Sequence, residues 1–418
     1  MSLFSLFYDL ALHLYFLASL PKIVLGWKKY RGSFKQRLGF GFPKIEKKDK
    51  KLIWIHAVSL GETKAVCGLI QKFKSLPNPP LIMLSSTTAT GHAEGIKNAG
   101  ADFHLFLPFD FKYVIAPKVE RAAPDLVIIT ETDFWYNFQR SAKKVGAKVV
   151  VVNGKISQRS TNRLKRLPFF AHALFESIDH FYLQSALYEQ RFKSLKIPPH
   201  RLTVTGNLKL DTPPEPCDRV ALKQRLGLTS QFVLTLGSTH DPEERIWCNA
   251  LKQLWLDFPD LKVLLVPRHP ERFQKIAQLL TALAIPFSRW SEEGTLQTHP
   301  LLLVDAMGAL GKCYQICDLA FVGGSLTDKI GGHNLLEPVF YAKPILFGPH
   351  LHAQPHFSEL IQTHKAGLQI SLETLQPILH TLLSEPGHLQ QLSENGQKLI
   401  ATVGGALART FNLLQDKI

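Results

Sequence analysis

The sequence predicts an α/β protein of two doubly wound domains facing a cleft, preceded by an N-terminal membrane-associated helix. Three observations lead there. Short apolar runs alternate with helical patterns along most of the chain, the order of a parallel sheet covered on both faces. A stretch rich in Pro and polar residues, Gly206 to Asp218, divides the alternation into two series. In the second series glycine pairs close a strand and precede a helix, at Gly323-Gly324 and Gly331-Gly332. Ligands of open α/β sheets bind beyond such strand ends, and glycine lets backbone approach them closely.

The 418 residues suffice for two or three domains with full cores. With 45% hydrophobic and 20% charged residues the chain reads as globular, not disordered. Its net charge of +15 is uneven: eleven Lys/Arg between Lys22 and Lys51, against Glu46 and Asp49, hold nine of it. That concentration seeks a local acidic partner. No zinc spacing, recognition-helix signature or RNP-type aromatic pattern accompanies it, so no nucleic acid is expected, and an anionic membrane surface fits better. The five cysteines (Cys67, Cys217, Cys248, Cys313, Cys317) are odd in number and form no disulfide framework, which points to a reducing compartment. Cys313 and Cys317 share a helix face and read as buried packing.

Leu3 to Leu20 is an apolar run of 18, near the minimum for crossing a bilayer. Ser5, Asp9 and His13 recur every fourth residue, so one helix face is polar. Exposing that face to lipid is costly; lying in the interface, or docking the stripe on the protein, costs less. No small-residue cleavage site follows, so no secretory signal is read. Lys28, Lys29, Arg31, Lys35 and Arg37, with Trp27 and Tyr30, suit a belt that touches lipid headgroups. The alternative is an ordinary buried helix with a solvated basic linker. The expected boundaries are residues 1–30 for anchor and belt, 31–206 for a first Rossmann-like domain, 207–218 for the linker and 219–395 for a nucleotide-sugar domain. Residues 396–418 form a last helix expected to pack back on the first domain.

Buried strands are expected at Leu52–Ala57, Leu81–Ser86, Phe103–Leu107, Leu126–Thr130, Lys148–Asn153, His180–Leu183 and Leu202–Thr205. The second series runs Phe232–Leu236, Leu261–Val266, a weak Ile285–Phe287, Leu301–Val304, Leu319–Val322, Pro344–Phe347 and Gly367–Ile370, with helices to the C-terminus. Around the glycine pairs, amides are expected to stay free for an anion, and Glu337 follows where it suits a pair of sugar hydroxyls. Two tight turns and a dipole-favouring Glu337 are the alternative there.

Seven motifs occur in order: His56-Ala-Val-Ser-Leu-Gly-Glu62, Ser85-Ser-Thr-Thr-Ala-Thr-Gly91, Glu131-Thr-Asp-Phe-Trp135, Gly206-Asn-Leu-Lys209, Gly237-Ser-Thr-His240, Pro267-Arg-His-Pro270 and Gly323 to Pro338. The ordered set resembles the Kdo transferases, which add 3-deoxy-D-manno-oct-2-ulosonic acid to lipid A precursors. The likeness covers nearly the whole chain. It implies a GT-B glycosyltransferase with CMP-Kdo as donor and lipid IVA as acceptor, acting at the cytoplasmic face of the inner membrane of a Gram-negative bacterium. A monomer without cofactor is expected. The segment Asp305-Ala-Met-Gly-Ala-Leu310 departs from the family's Asp-Thr-Met-Gly-Glu-Leu. Another GT-B enzyme using a UDP-sugar on a lipid-linked acceptor is the rival reading, since fold alone does not separate the two.

With that resemblance, Glu62 is the expected general base for the acceptor hydroxyl, and Ser59, Gly61 and Glu131 belong to the acceptor side. Ser59-x-x-Glu62 also fits a capping box, the structural alternative. Glu131 fits a first-turn helix acid, and His56, within a strand, reads as core. The donor side is assigned Lys209, Ser238, Thr239, Pro267, Arg268, His269, Met307, Gly308, Gly323, Gly324, Ser325, Asn334 and Glu337. Arg268 follows a strand, and its planar fork suits phosphate or carboxylate. Ser238 and Thr239 suit phosphate, or alternatively a cap for the helix near Asp241. No H-E-x-x-H, carboxylate cluster or D-x-D pair is present, so no metal site is expected.

Overall fold

Strand burial sets the architecture. In a computed structural model, which describes residues 3–211, 216–292, 294–353 and 355–417 (without the side chains of Leu3, Lys28, Lys29 and His356), β1 (Leu52–His56) is buried at all five positions. A strand buried on both faces needs helices on both sides and pairs in parallel. Residues 212–215 of the expected linker, and the Lys28 and Lys29 side chains of the expected belt, lie outside the described residues.

The chain divides into two compact units, residues 1–212 with 403–418, and residues 213–402. In the first, β1 is joined by β2 (Leu81–Ser86), β3 (Phe103–Phe106), β4 (Leu126–Thr130), β5 (Lys148–Gly154), β6 (His180–Leu183) and β7 (Leu202–Val204) in the order β3-β2-β1-β4-β5-β6-β7. All pairs are parallel. Alternation along β1 sends Leu52 and Trp54 to one apolar layer and Ile53 and Ile55 to the other. Trp54 is fully buried against Phe138, with ring centroids 4.9 Å apart, so truncating it to Ala is expected to cost roughly 3–5 kcal/mol.

The second unit repeats the plan. β8 (Val233–Thr239), β9 (Lys262–Pro267), β10 (Phe287–Arg289), β11 (Leu301–Leu303), β12 (Leu319–Val322), β13 (Ile345–Phe347) and β14 (Gly367–Gln369) take the order β10-β11-β9-β8-β12-β13-β14. The helix Glu243–Asp257 packs Trp247 and Leu251 with Leu234, Leu236 and Phe321 in the core. All fourteen expected strands are present, each within a few residues of its expected bounds.

One departure concerns the C-terminal end of the chain. The helix Pro386–Val403 runs through position 396, where the sequence suggested a boundary; the first unit regains the chain only at residue 403. The helix Ala406–Gln415 then packs on the helix Leu60–Lys74, with Phe411 5.2 Å from the Phe73 ring. At the other end, the helix Leu3–Leu25 is the one described helix long and apolar enough to cross a membrane. Its polar stripe docks on the protein. Asn137 Nδ2 donates to Asp9 Oδ1 at 2.7 Å, the Tyr8 hydroxyl donates to buried Asp110 at 2.8 Å, and Ser5 is buried. On the outward face Leu6, Phe7, Leu10, Leu14 and Leu17 are each more than half exposed.

Candidate functional site

Strand order reverses between β1 and β4 in one sheet and between β8 and β12 in the other. Open α/β sheets take ligands beyond the strand ends at such points. Most of the sequence-predicted residues fall there, in two separate groups.

In the first unit, Glu62 lies in the opening turn of the helix Leu60–Lys74, just past β1. Its Oε2 accepts from the Val58 amide at 2.9 Å, and its Oε1 accepts from the Ser59 hydroxyl at 3.1 Å. A capping box would have Ser59 accept from the helix backbone, but its side chain makes no cap bond. The serine is spent on the carboxylate, so the box is not formed. Burial pushes the Glu62 carboxyl up; the Val58 amide opposes this, and nearby Glu131 adds to it.

Glu131, at the end of β4, is 4% exposed and holds a left-handed backbone with φ of 63°. Such strain costs about 1–3 kcal/mol and persists only where the surroundings impose it. Here Oε1 meets Lys209 Nζ and Oε2 meets Lys155 Nζ, each at 2.6 Å. Burial alone would raise this carboxyl, but the two ammonium groups outweigh it and hold it below the usual range. Asn153, with φ of 54°, fixes the geometry from β5: its amide donates to Glu131 at 3.3 Å, and its Oδ1 accepts from the Leu208 amide at 2.9 Å. Lys209, assigned to the donor side from sequence, is thereby placed in the first unit on Glu131. A methyl added at Gly61 would stand 3.8 Å from its Nζ. The structure thus gathers Ser59, Gly61, Glu62, Glu131 and Lys209. His56 is fully buried between Ser85 and Asp133, a core position.

In the second unit the glycine loop corrects the sequence reading. The amides of Gly324, Ser325 and Leu326 are not free for an external anion. They donate to the buried Glu243 carboxylate at 2.8, 3.0 and 2.9 Å, and the His240 amide joins them at 2.9 Å. The Gly323 amide donates to Gly237. Nor does Gly323 make room for a ligand: a methyl there would meet the Ser238 carbonyl oxygen at 2.5 Å. The Ser325 hydroxyl donates to the Val322 carbonyl and accepts from the Gly348 amide. Sequence reasoning missed Glu243; the signal was an adjacent acid pair, Glu243-Glu244, opening a helix just after a strand.

Ser238 forms a bulge in β8 with φ of 53°. Neither it nor Thr239 caps the following helix, which begins at Glu243 behind Pro242, so the capping alternative fails. The Thr239 hydroxyl is buried without a partner among the described residues. Pro267 ends β9, and exposed Arg268 and His269 follow it. Beside them His240 Nε2 lies 2.8 Å from His333 Nε2, and the His240 ring is 5.2 Å from His269. Burial first, then the neighbouring cations, lowers both His240 and His333 to about 4. Met307 and Gly308 are exposed in the loop before the helix Leu310–Ile316. The Asn334 side chain accepts from the Leu336 amide at 3.2 Å, and half-buried Glu337 is close enough to Tyr314 and Tyr341 to add to the upward push that burial gives both hydroxyls.

Residues 32–212 match the family described as 3-deoxy-D-manno-octulosonic-acid transferase (kdotransferase). The 3-deoxy-D-manno-octulosonic acid transferase of Chlamydia muridarum is 34% identical over 99% of this chain and 97% of its own length. That of Haemophilus influenzae is 30% identical over 93% of this chain and 92% of its own. Among solved structures, a glycosyltransferase from Rickettsia africae aligns at TM-score 0.61 with 15% identity, over 88% of this chain and 99% of that one. A UDP-GlcNAc 2-epimerase from Neisseria meningitidis aligns at 0.58 with 12% identity, over 88% and 99%. These two share the GT-B-like fold with this chain.

Proposed function

The chain belongs to the 3-deoxy-D-manno-octulosonic acid transferase family and is a glycosyltransferase; from there we propose that it moves Kdo from CMP-Kdo to lipid IVA, with Glu62 as general base. One observation carries the base assignment. The Glu62 carboxylate is oriented by the Val58 amide and the Ser59 hydroxyl at the C-terminal end of β1, and burial raises its proton affinity. A base with its pKa moved toward neutrality is the effective one.

In the proposed step Glu62 takes the proton of the acceptor hydroxyl as that oxygen attacks the anomeric carbon of the ketose. The bond from that carbon to the phosphate oxygen breaks, and CMP leaves with the electron pair. The transition state is oxocarbenium-like, so fixed charge near the developing ions is worth more than in water. Arg268 stabilises the leaving phosphate, Asn334 and Glu337 hold the nucleoside, and Lys209, fixed by Glu131, faces the acceptor side. No step draws on a metal ion. The Ser325 and Gly324 amides act indirectly, by keeping the loop in place.

The acceptor's lipid character is supported by the N-terminal helix. Phe4, Phe7 and Leu10 with Leu167, Phe169 and Phe170 line an apolar groove of about 950 Å3, rimmed by Arg166. An apolar surface edged with cations suits a monotopic seat among acidic lipids.

Mass analysis of lipid IVA after incubation with CMP-Kdo and the full chain tests the assignment. Addition of Kdo, with and without excess EDTA, is expected. No Kdo addition, with the protein stabilised against heat by UDP and not by CMP, would move it to the UDP-sugar class.

A further inference from the structure

A second basic stretch lies in the first unit, apart from the block between Lys22 and Lys51. From Phe134 to Phe175 the chain has nine Lys/Arg and no Asp or Glu. Lys143 is spent on Asp179 and Lys155 on Glu131. Arg159, Arg163, Lys165 and Arg166 are exposed, and their side chains have no hydrogen-bond or ion-pair partner among the described residues. A solvated helix face usually carries both signs of charge, whereas an unpaired row of one sign attracts an opposite partner.

Local structure puts three of these four on one line. The Ser157 hydroxyl caps the helix Gln158–Lys165 by accepting from the Ser160 amide at 3.1 Å. At the other end Pro168 forces Leu167 out of helical geometry. Thr161 is buried and Leu164 half-buried, which turns the opposite face outward. At about 100° per residue, Arg159, Arg163 and Arg166 fall within about 60° of one another on that face, along about 10 Å of rise. Guanidinium groups are weakly hydrated, and their planar forks grip phosphate oxygens in pairs.

The two ends of the stretch decide what this row meets. Lys155, the first residue past β5, stands 2.6 Å from Glu131 Oε2, on the acceptor side of the site. At the far end, Arg166 to Phe170 form one wall of the apolar groove, and Phe4, Leu6, Phe7 and Leu10 form the other. The arginines therefore connect the carboxylates placed for a sugar hydroxyl with the groove placed for acyl chains.

We propose that Arg159, Arg163 and Arg166 receive a phosphate on the headgroup of the acceptor lipid. This rests on reading lipid IVA, a phosphorylated and acylated disaccharide, as the acceptor. An amphiphile whose anion lies between its reacting hydroxyl and its chains meets the three surfaces in that order. The row selects and holds the headgroup by charge, and it moves no proton.

Binding in micelles of neutral detergent, without anionic lipid, tests this with two ligands: lipid IVA, and the same lipid stripped of its phosphates. The parent is expected to prefer lipid IVA roughly 10–100-fold, the range for bonds to a charged group. With Arg159→Gln, Arg163→Gln and Arg166→Gln combined, that preference should fall to within about threefold, with affinity for the stripped lipid unchanged. The melting temperature should stay within a few degrees, as for exposed substitutions, which reports folding. At saturating lipid IVA, kcat should stay within about threefold, since the row touches no reacting atom. A parent that binds both lipids alike, or a variant that keeps the parent's preference, would overturn the inference and leave transfer to lipid IVA standing. So would a variant whose only change is weaker partitioning onto anionic vesicles, which would make the row a belt for bulk headgroups. If the parent binds neither lipid, the acceptor reading falls first and the inference with it.

Discussion

Lys209 Nζ stands 2.6 Å from Glu131 Oε1, tying the segment after β7 to the end of the central strand β4. The carboxylate is nearly buried and the ammonium about a third exposed. Replacing Lys209 by Met leaves Glu131 with Lys155 alone. A loss of about 1–2 kcal/mol is expected, the charged-bond range reduced for solvent screening. Glu131 titrates below its unfolded value, so its contribution is present above that value and lost as pH falls through the folded one. Thermal melts at pH 7 and pH 4 check this: the gap between parent and variant should narrow in acid.

Glu62 has the opposite sign. Its carboxyl titrates above the unfolded value, so its contribution to stability is full below that value and fades as pH rises through the folded one. Glu62→Gln, neutral throughout, should therefore equal or exceed the parent's stability at pH 8. Turnover should fall by ~10²–10⁴, the usual contribution of a general base. The acid limb of the parent's pH–rate profile should lie above the ordinary carboxylate range, and the variant should lack that limb. A variant within a few-fold of the parent in turnover would remove Glu62 from the chemistry.

Glu243 holds the glycine loop, and no neutral side chain repeats its four contacts. Each oxygen accepts from two amides. A glutamine turns an N–H₂ toward two of those donors. Glu243→Ala should cost more than about 3 kcal/mol, since several buried amides lose partners at about 1–3 kcal/mol each. Glu243→Gln should lose a substantial part of that. Denaturant melts with CMP titrations are the measurement, and CMP affinity should drop together with stability.

The N-terminal helix cannot be removed cleanly, because Phe4 is buried and Tyr8 and Asp9 hold Asp110 and Asn137. Its outer face is the sharper probe. Phe7→Glu with Leu10→Glu should leave the melting temperature within a few degrees, as exposed substitutions do. It should also release the protein from vesicles containing anionic lipid. Unchanged partitioning in a sedimentation assay would rule out this face as the membrane seat.

How far the sequence reached follows from which forces are local. Strands such as Leu126–Thr130 and Leu319–Val322 are apolar end to end, so their burial and parallel pairing were legible. The strand-end positions of Glu62 and Glu131 followed from the same pattern. The partners did not. Glu131 meets Lys155 and Lys209 from two other segments, and Glu243 reaches across to the loop after β12. Spacing within a motif carries no information about such meetings. The glycines of Gly323-Gly324 misled for a related reason. Space for a ligand and space for a neighbouring backbone demand the same residue, and at Gly323 the neighbour is Ser238. His240 and His333 each stood inside a quoted motif, but only the fold brings their rings together.

The last helix has a bearing on biosynthesis. Leu407 lies against Gly68, where an added methyl would stand 2.9 Å from it, and the amides of Gly405 and Leu407 donate to Asp211. One face of the N-terminal sheet is therefore completed by residues that are made only after the whole of 213–402. The stretch 213–402 is continuous and has all its strands before those residues are made. The unit whose strands precede 213–402 must wait to finish folding until that stretch is made, with Phe73 uncovered until Phe411 arrives.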